Sequence, residues 1–284
     1  MKTGAIDYVA LRKTALEEKP KILLAWFSAY PRELDYDKFA EIAQEVGAIA
    51  MADMSHIGGL IAWWVVKNPL QHGFQVMMTT THKSLRWPRG ALILSNWTVS
   101  NPLKKPEPTI ANIPTRIDRA VFPWVQWGPH MNTISAVGVA LHEASQPWFQ
   151  EYARQIVKNA QAMADEFITL WYDLVTWWTD NHMLIMDFQH TDYDGSVAEK
   201  TLDHLWISTS KSTIPNDPRP PFRPSGLRIG TPAMTTRGLQ EAQVRQVARW
   251  IDTALKNQDD KNVLDGLREE VKSMALEYAV PVVL

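Results

Sequence analysis

The 284-residue chain has no cysteine, which excludes disulfides and thiolate metal sites and fits a reducing compartment. It is poor in glycine, with 13 residues where about 7%, roughly 20, is usual. It has no basic excess: 29 Lys and Arg against 31 Asp and Glu leave a net charge of −2, with no electrostatic footprint for nucleic acid. No apolar run reaches the length of a membrane span and no signal peptide is visible, so a cytoplasmic enzyme is the default expectation. What the chain has in excess is tryptophan, 13 residues, as many as glycine. Some are paired, at 63–64 and 177–178, and others fall at turns, as Trp87, Trp124 and Trp127 do. Turns that need φ > 0 favour glycine, so an indole is out of place there.

The apolar pattern predicts strands at Lys21–Phe27, at 48–52 ending on Asp53, at Val76–Thr81 and at Ala91–Leu94. An amphipathic helix is predicted from Asp35 to Val46, with Phe39, Ile42, Ala43 and Val46 on one face and Gly47 closing it. This alternation argues for an α/β parallel sheet covered on both faces, with chemistry at the carboxyl ends of its strands. Ser28, Asp53 and Lys83 all fall just past a strand end. A proline-rich loop is expected at 101–114 and helices at 133–145 and 148–170. The second half reads as a separate α+β unit, with strands at 183–188 and 227–230 and helices at 196–205, 239–255 and 263–278. A second stiff loop, Pro215–Phe222, interrupts it.

Thr79-Thr80-Thr81-His82-Lys83-Ser84-Leu85-Arg86-Trp87-Pro88-Arg89-Gly90 is the most informative stretch. It places one lysine at a strand end before a Pro-Arg-Gly turn, where an amine can be desolvated and made nucleophilic. A small residue would be expected where Trp87 stands. Taken singly, each candidate has an ordinary reading. Lys83 is a surface lysine, Asp53 a strand-ending cap, His56 a packed loop histidine and Arg228 half of an ion pair.

Taken together, several segments resemble serine hydroxymethyltransferase, a pyridoxal 5'-phosphate (PLP) enzyme of the aspartate-aminotransferase fold type. They are Ser28-Ala29-Tyr30-Pro31-Arg32, Asp53-Met54-Ser55-His56-Ile57-Gly58-Gly59-Leu60, the Thr79–Gly90 stretch, Phe122–His130, Thr179-Asp180-Asn181-His182 and Ser225–Ala233. The resemblance implies part of a PLP-binding large domain at 1–133, then a small α+β domain at 134–284. It implies Lys83 as the lysine that takes PLP covalently and Asp53 as the partner of the pyridinium nitrogen, keeping the ring an electron sink. His56 would contact the phenolic oxygen, His82 would lie near the substrate, and Ser28 and Thr80 would contact cofactor or lysine. Gly128 would approach the phosphate of a neighbouring subunit's PLP. Arg228 would grip the substrate carboxylate through its planar fork, and Pro220, Pro221 and Phe222 would meet folate. Arg89 is as well suited to holding the turn. The implied reaction interconverts serine and glycine, with tetrahydrofolate accepting the one-carbon unit, in a homodimer or tetramer. A folate-independent PLP aldolase or lyase, such as a threonine aldolase, and a non-catalytic fragment are the other readings.

The chain also departs from the family pattern. Family members carry roughly another third of a chain before Ile6, holding a phosphate-binding Ser-Gly segment and a ring-stacking histidine, so Met1 reads as internal. Ser210-Lys211-Ser212 stands where Asn-Lys-Asn is usual near folate, and Gly73-Phe74 replaces a small residue and a polar one. Tryptophan occupies glycine positions at 26, 64, 87, 124, 127, 171, 177 and 178, and at 206, which is often glycine. Overpacking costs about 1–3 kcal/mol per site, so such a set would exceed a typical net stability of about 5–15 kcal/mol. One replacement repeated so consistently fits UGA codons that some bacterial lineages read as glycine, rendered as tryptophan. Trp97, Trp148 and Trp250 are left unassigned.

Overall fold

The computed structural model describes residues 4–96 and 113–281, which divide into two compact units. The first takes Asp7–Ser28 and Leu34–Gln146; the second takes Ala29–Glu33 and the chain from Pro147 on. The expected division at 133/134 concerns the domains of the whole fold, whereas these units part between Gln146 and Pro147.

The first unit is built on a four-stranded sheet of order β1 (Ile22–Trp26), β2 (Ile49–Asp53), β3 (Val76–Thr80), β4 (Ala91–Ser95). The first three strands are parallel, as their alternation with helices requires, but β4 runs antiparallel to β3. The short excursion 81–90 is why: a turn of that length reverses the chain, and a parallel return needs a longer crossover. The sheet is therefore mixed rather than wholly parallel. α1 (Tyr8–Glu18) precedes it, capped by Asp7, which accepts the amides of Val9 and Ala10. α2 (Tyr36–Glu45) is capped by Asp35, whose side chain accepts the amide of Lys38, and Gly47 beyond it is left-handed with φ +69. α2 buries Tyr36, Phe39, Ile42 and Ala43. Phe74 meets Tyr36 edge-on, with ring centroids 5.6 Å apart, and Phe39 at 6.1 Å. α3 (Gly58–Ile61), α4 (Ile113–Arg119) and α5 (Met131–Ala144) complete the unit.

Among the described residues, one face of the sheet is left largely open along β1. β1 alternates strictly: Leu23 and Ala25 are buried, while Ile22, Leu24 and Trp26 are exposed by 51%, 42% and 60%. The register sets Trp26, Asp53, Met78 and Ile93 in one row across four strands, and Leu24, Met51 and Val76 in the next. Among the described residues, the expected cover on both faces is thus complete on one only.

The second unit is an antiparallel sheet of order β5 (Asp173–Leu174), β6 (Met183–Asp187), β8 (Gly226–Gly230), β7 (Ser210–Ser212). It carries α6 (Pro147–Thr169), α7 (Gly195–His204), α8 (Pro232–Thr236), α9 (Glu241–Lys256) and α10 (Lys261–Glu277). Its core joins Met163 and Phe167 of α6, Leu184 and Met186 of β6, Leu227 of β8 and Val244, Ala248 and Ile251 of α9. The Thr179–His182 segment ties in Ala29–Glu33: Asp180 accepts from Arg32 Nε at 2.7 Å and from the Glu33 amide at 3.0 Å, while Asn181 donates to the Tyr30 carbonyl at 3.0 Å. The proline-rich loop expected at 101–114 lies, up to residue 112, outside the described residues; Pro114 is already within α4.

The tryptophans do not overpack the core, as the sequence led one to expect. Trp26, Trp64, Trp87, Trp124, Trp127, Trp171, Trp177 and Trp206 are exposed, and Trp178 is partly buried against the second core. Their cost is in the backbone instead. Trp64, Trp171, Trp177 and Trp206 have φ of 53, 67, 58 and 62, in the left-handed region that disfavours bulky side chains.

Candidate active site

The carboxyl ends of β1, β2 and β3 lie side by side, with Trp26 opposite Asp53 and Asp53 opposite Met78. Ser28, Asp53 and Thr80 therefore share one end of the sheet, where α/β proteins place ligands. Asp53 Oδ1 accepts two bonds from Ser55, from its amide at 3.0 Å and from its hydroxyl at 2.6 Å. Ser55 Oγ accepts the Thr80 amide at 3.2 Å, and Thr80 Oγ1 points back at the Ser55 carbonyl at 3.5 Å. Ser55 carries no role in the family resemblance. The signal was there in Asp-x-Ser, the spacing at which an aspartate side chain accepts the amide two residues on.

The lysine loop is held from inside and from below. Thr81 accepts the Trp87 amide at 3.0 Å on its carbonyl and donates its own amide to Gly90 at 3.0 Å and its hydroxyl to the Pro88 carbonyl at 2.5 Å. The left-handed residue of this turn is Arg86, with φ 72, rather than Trp87. Beneath it, the Gly59 amide donates to Ser84 Oγ at 3.0 Å. A Cβ on Gly58 would stand 2.4 Å from Thr79 Oγ1, and one on Gly59 2.4 Å from the Ser84 carbonyl oxygen. Only glycine lets α3 approach the lysine loop this closely.

Lys83 itself stands exposed, so the desolvation expected from its flanking strands is not supplied by the described residues. His56 and His82 are half-buried. The Nδ1 atom of His82 is buried with no hydrogen-bond partner, and among the described residues Asp53 Oδ2 has no partner either. An accessible amine past β3 and an unspent carboxylate oxygen at the end of the adjacent β2 fit a ligand with a carbonyl carbon and a protonated ring nitrogen.

The serine hydroxymethyltransferase family matches residues 1–251. The chain belongs to the serine hydroxymethyltransferase family. It is 42% identical over 277 residues to serine hydroxymethyltransferase 1 of Pseudomonas fluorescens, covering 98% of this chain and 63% of that protein. It is 41% identical over 285 aligned positions to the serine hydroxymethyltransferase of Acidothermus cellulolyticus, with the same two shares. The chain thus spans less than two thirds of the length of the curated relatives it matches. Its α/β architecture agrees with a PLP-dependent transferase of the aspartate-aminotransferase type.

The remaining residues expected in a serine hydroxymethyltransferase site are spread more widely. Gly128 is exposed in the loop between the Ala120–Val125 turn and α5, and a Cβ there would meet nothing within 4 Å. Among the described residues, none therefore requires glycine at that point. Arg89 is exposed on the lysine turn. Arg228 is half-buried in β8 of the second unit, opposite Ile185 on β6 and Ser210 on β7. Pro220, Pro221 and Phe222 are exposed in the loop leading to β8, with Phe222 71% accessible. That loop is stiffened by Arg219, which donates to the carbonyls of Phe188, Thr191 and Tyr193 at 3.0–3.2 Å. Asp217 fixes its base by accepting the Ser225 hydroxyl at 2.7 Å.

Proposed function

We propose that this chain carries the lysine-bearing part of the PLP site and the small domain of an enzyme that interconverts serine and glycine, with tetrahydrofolate as the one-carbon acceptor. The observation that carries the reading is the strand-end cluster: an anchored Asp53 carboxylate on β2 and Lys83 just past the end of the neighbouring β3. Bound PLP would supply an electron sink for the carbon whose bond breaks. Lys83 would hold the cofactor covalently, Asp53 would keep a proton on its ring nitrogen, and His56 would contact its phenolic oxygen. Ser28 and Thr80 offer hydroxyls at the same sheet end, and His82 would lie near the substrate. In the second unit Arg228 would take the substrate carboxylate and Pro220, Pro221 and Phe222 the folate. Gly128 would serve a neighbouring subunit in a cytoplasmic homodimer or tetramer. The domain division in the assembled enzyme would follow 1–133 and 134–284.

Borohydride reduction of the PLP-treated chain tests this directly, because trapping accumulates even weak binding. Mass spectrometry is expected to find the cofactor on the Lys83 peptide, and Lys83→Ala to abolish it. Absence of label from Lys83 in the unaltered chain would sink the proposal. Folate-independent cleavage of 3-hydroxy amino acids by the assembled enzyme, with no serine–glycine exchange, would move it to the aldolases.

A further inference from the structure

Ser55 bridges the Asp53 carboxylate and the Thr80 amide. It is buried, 4% exposed, between the ends of β2 and β3. Its oxygen accepts the Thr80 amide at 3.2 Å, which orients its own proton toward Asp53 Oδ1, 2.6 Å away. With the Ser55 amide on the same oxygen at 3.0 Å, Oδ1 is filled by two donors. Rotating the Asp53 carboxylate would break both bonds and leave a buried hydroxyl unsatisfied, which is costly. The carboxylate is therefore locked with Oδ2 as its available face.

We infer that Ser55 is a positioning residue: it fixes Asp53 so that Oδ2 is presented to the ring nitrogen of the cofactor. It also couples that carboxylate to Thr80, and so to the strand that delivers Lys83. The inference rests on the proposed PLP reading. It differs from a purely structural turn in one respect, which is that it concerns one atom of the ligand.

A pair of probes separates the two. The first is PLP; the second is a deaza analogue with carbon in place of the ring nitrogen. Each is titrated against borohydride trapping on Lys83, and circular dichroism checks that the variants fold. In Ser55→Ala the half-saturating PLP concentration is expected to rise about tenfold, the loss of one hydrogen bond to a charged group. Trapping of the deaza analogue should stay within about twofold, and Asp53→Ala should show the same discrimination more strongly. Equal weakening of both probes would assign Ser55 to the turn alone and overturn the inference, as would unchanged affinity for PLP. If the unaltered chain takes no label at Lys83, the cofactor reading falls and this inference with it. Hydrogen exchange at the Thr80 amide, faster in Ser55→Ala, would then show a relay that serves only the fold.

Discussion

At the residue scale, the tryptophans separate into two populations. Trp63 and Trp64 are neighbours, yet Trp63 Nε1 donates to the Ala144 carbonyl at 2.5 Å while Trp64 is left-handed and exposed. Trp250 is 6% exposed in the second core and donates to Glu270 at 2.7 Å, as a native indole should. Trp171, by contrast, is left-handed and 95% exposed. Codons are expected to follow this division: UGG at Trp63 and Trp250, UGA at Trp64, Trp171, Trp177 and Trp206. UGG at the latter four would end the recoding idea. Left-handed backbone costs a bulky residue about 1–2 kcal/mol, so each of Trp64→Gly, Trp171→Gly and Trp177→Gly should stabilise by about that amount in denaturant unfolding. Trp206→Gly should gain less, because Arg268 stacks 4.1 Å from the indole centroid and that contact is lost. The family resemblance flagged these positions, but only the backbone shows which of them are strained. Ser55 stayed hidden for the opposite reason, since a lone serine carries no pattern until its neighbours in space are known.

At the element scale, α6 and α9 are joined by an ionic clamp. Glu166 on α6 is 7% exposed and accepts from Arg249 Nε at 2.7 Å and Arg245 Nη1 at 3.4 Å, both on α9. The Arg249 hydrogen bond, against the opposing effect of burial, holds the Glu166 carboxyl below the usual carboxylate range, and the charges of both arginines add to it. Because the folded pKa is depressed, the unfolded chain takes up the proton first on acidification. The clamp's contribution is therefore complete above the unfolded value of about 4.3 and is lost as pH falls through the folded one. Arg249→Ala should lower stability at neutral pH and flatten the acid limb of the stability–pH curve below it. A curve parallel to that of the unaltered protein would show that Glu166 does not link α6 to α9 in this way. Helices of this kind were legible in the sequence because one face is apolar, as in α2 and α9. α1 was not, since it buries only Ala15 and has no apolar period to read. β5 and β7, at two and three residues, are too short to carry alternation. The direction of β4 was not legible either, for strand composition does not encode orientation and only the length of the intervening turn does.

At the scale of the whole molecule, the apolar side chains that the first sheet leaves exposed among the described residues bear on behaviour in solution. Ile22, Leu24 and Trp26 on β1 form an exposed apolar row of the kind that drives association, and Ile93 adds to it on the far strand. The 284-residue chain is expected to bind a hydrophobic dye and to self-associate with rising concentration in sedimentation. Replacing Ile22 and Leu24 by Thr, which keeps β propensity, should cut dye fluorescence by about half. Unchanged fluorescence would mean that this face is covered in solution.

The excursion of Ala29–Glu33 into the second unit sets a schedule for synthesis. Arg32 and its partner Asp180 are 148 positions apart, so a ribosome adding about 5–20 residues per second delivers the second roughly 7–30 s after the first. For that interval the Pro31 carbonyl and the Arg32 side chain wait for Thr179 and Asp180, while β1 before them and α2 after them can already pack. A nascent chain paused short of Thr179 would hold a finished first sheet and an unclaimed loop, and that loop is where a chaperone or a protease would find it.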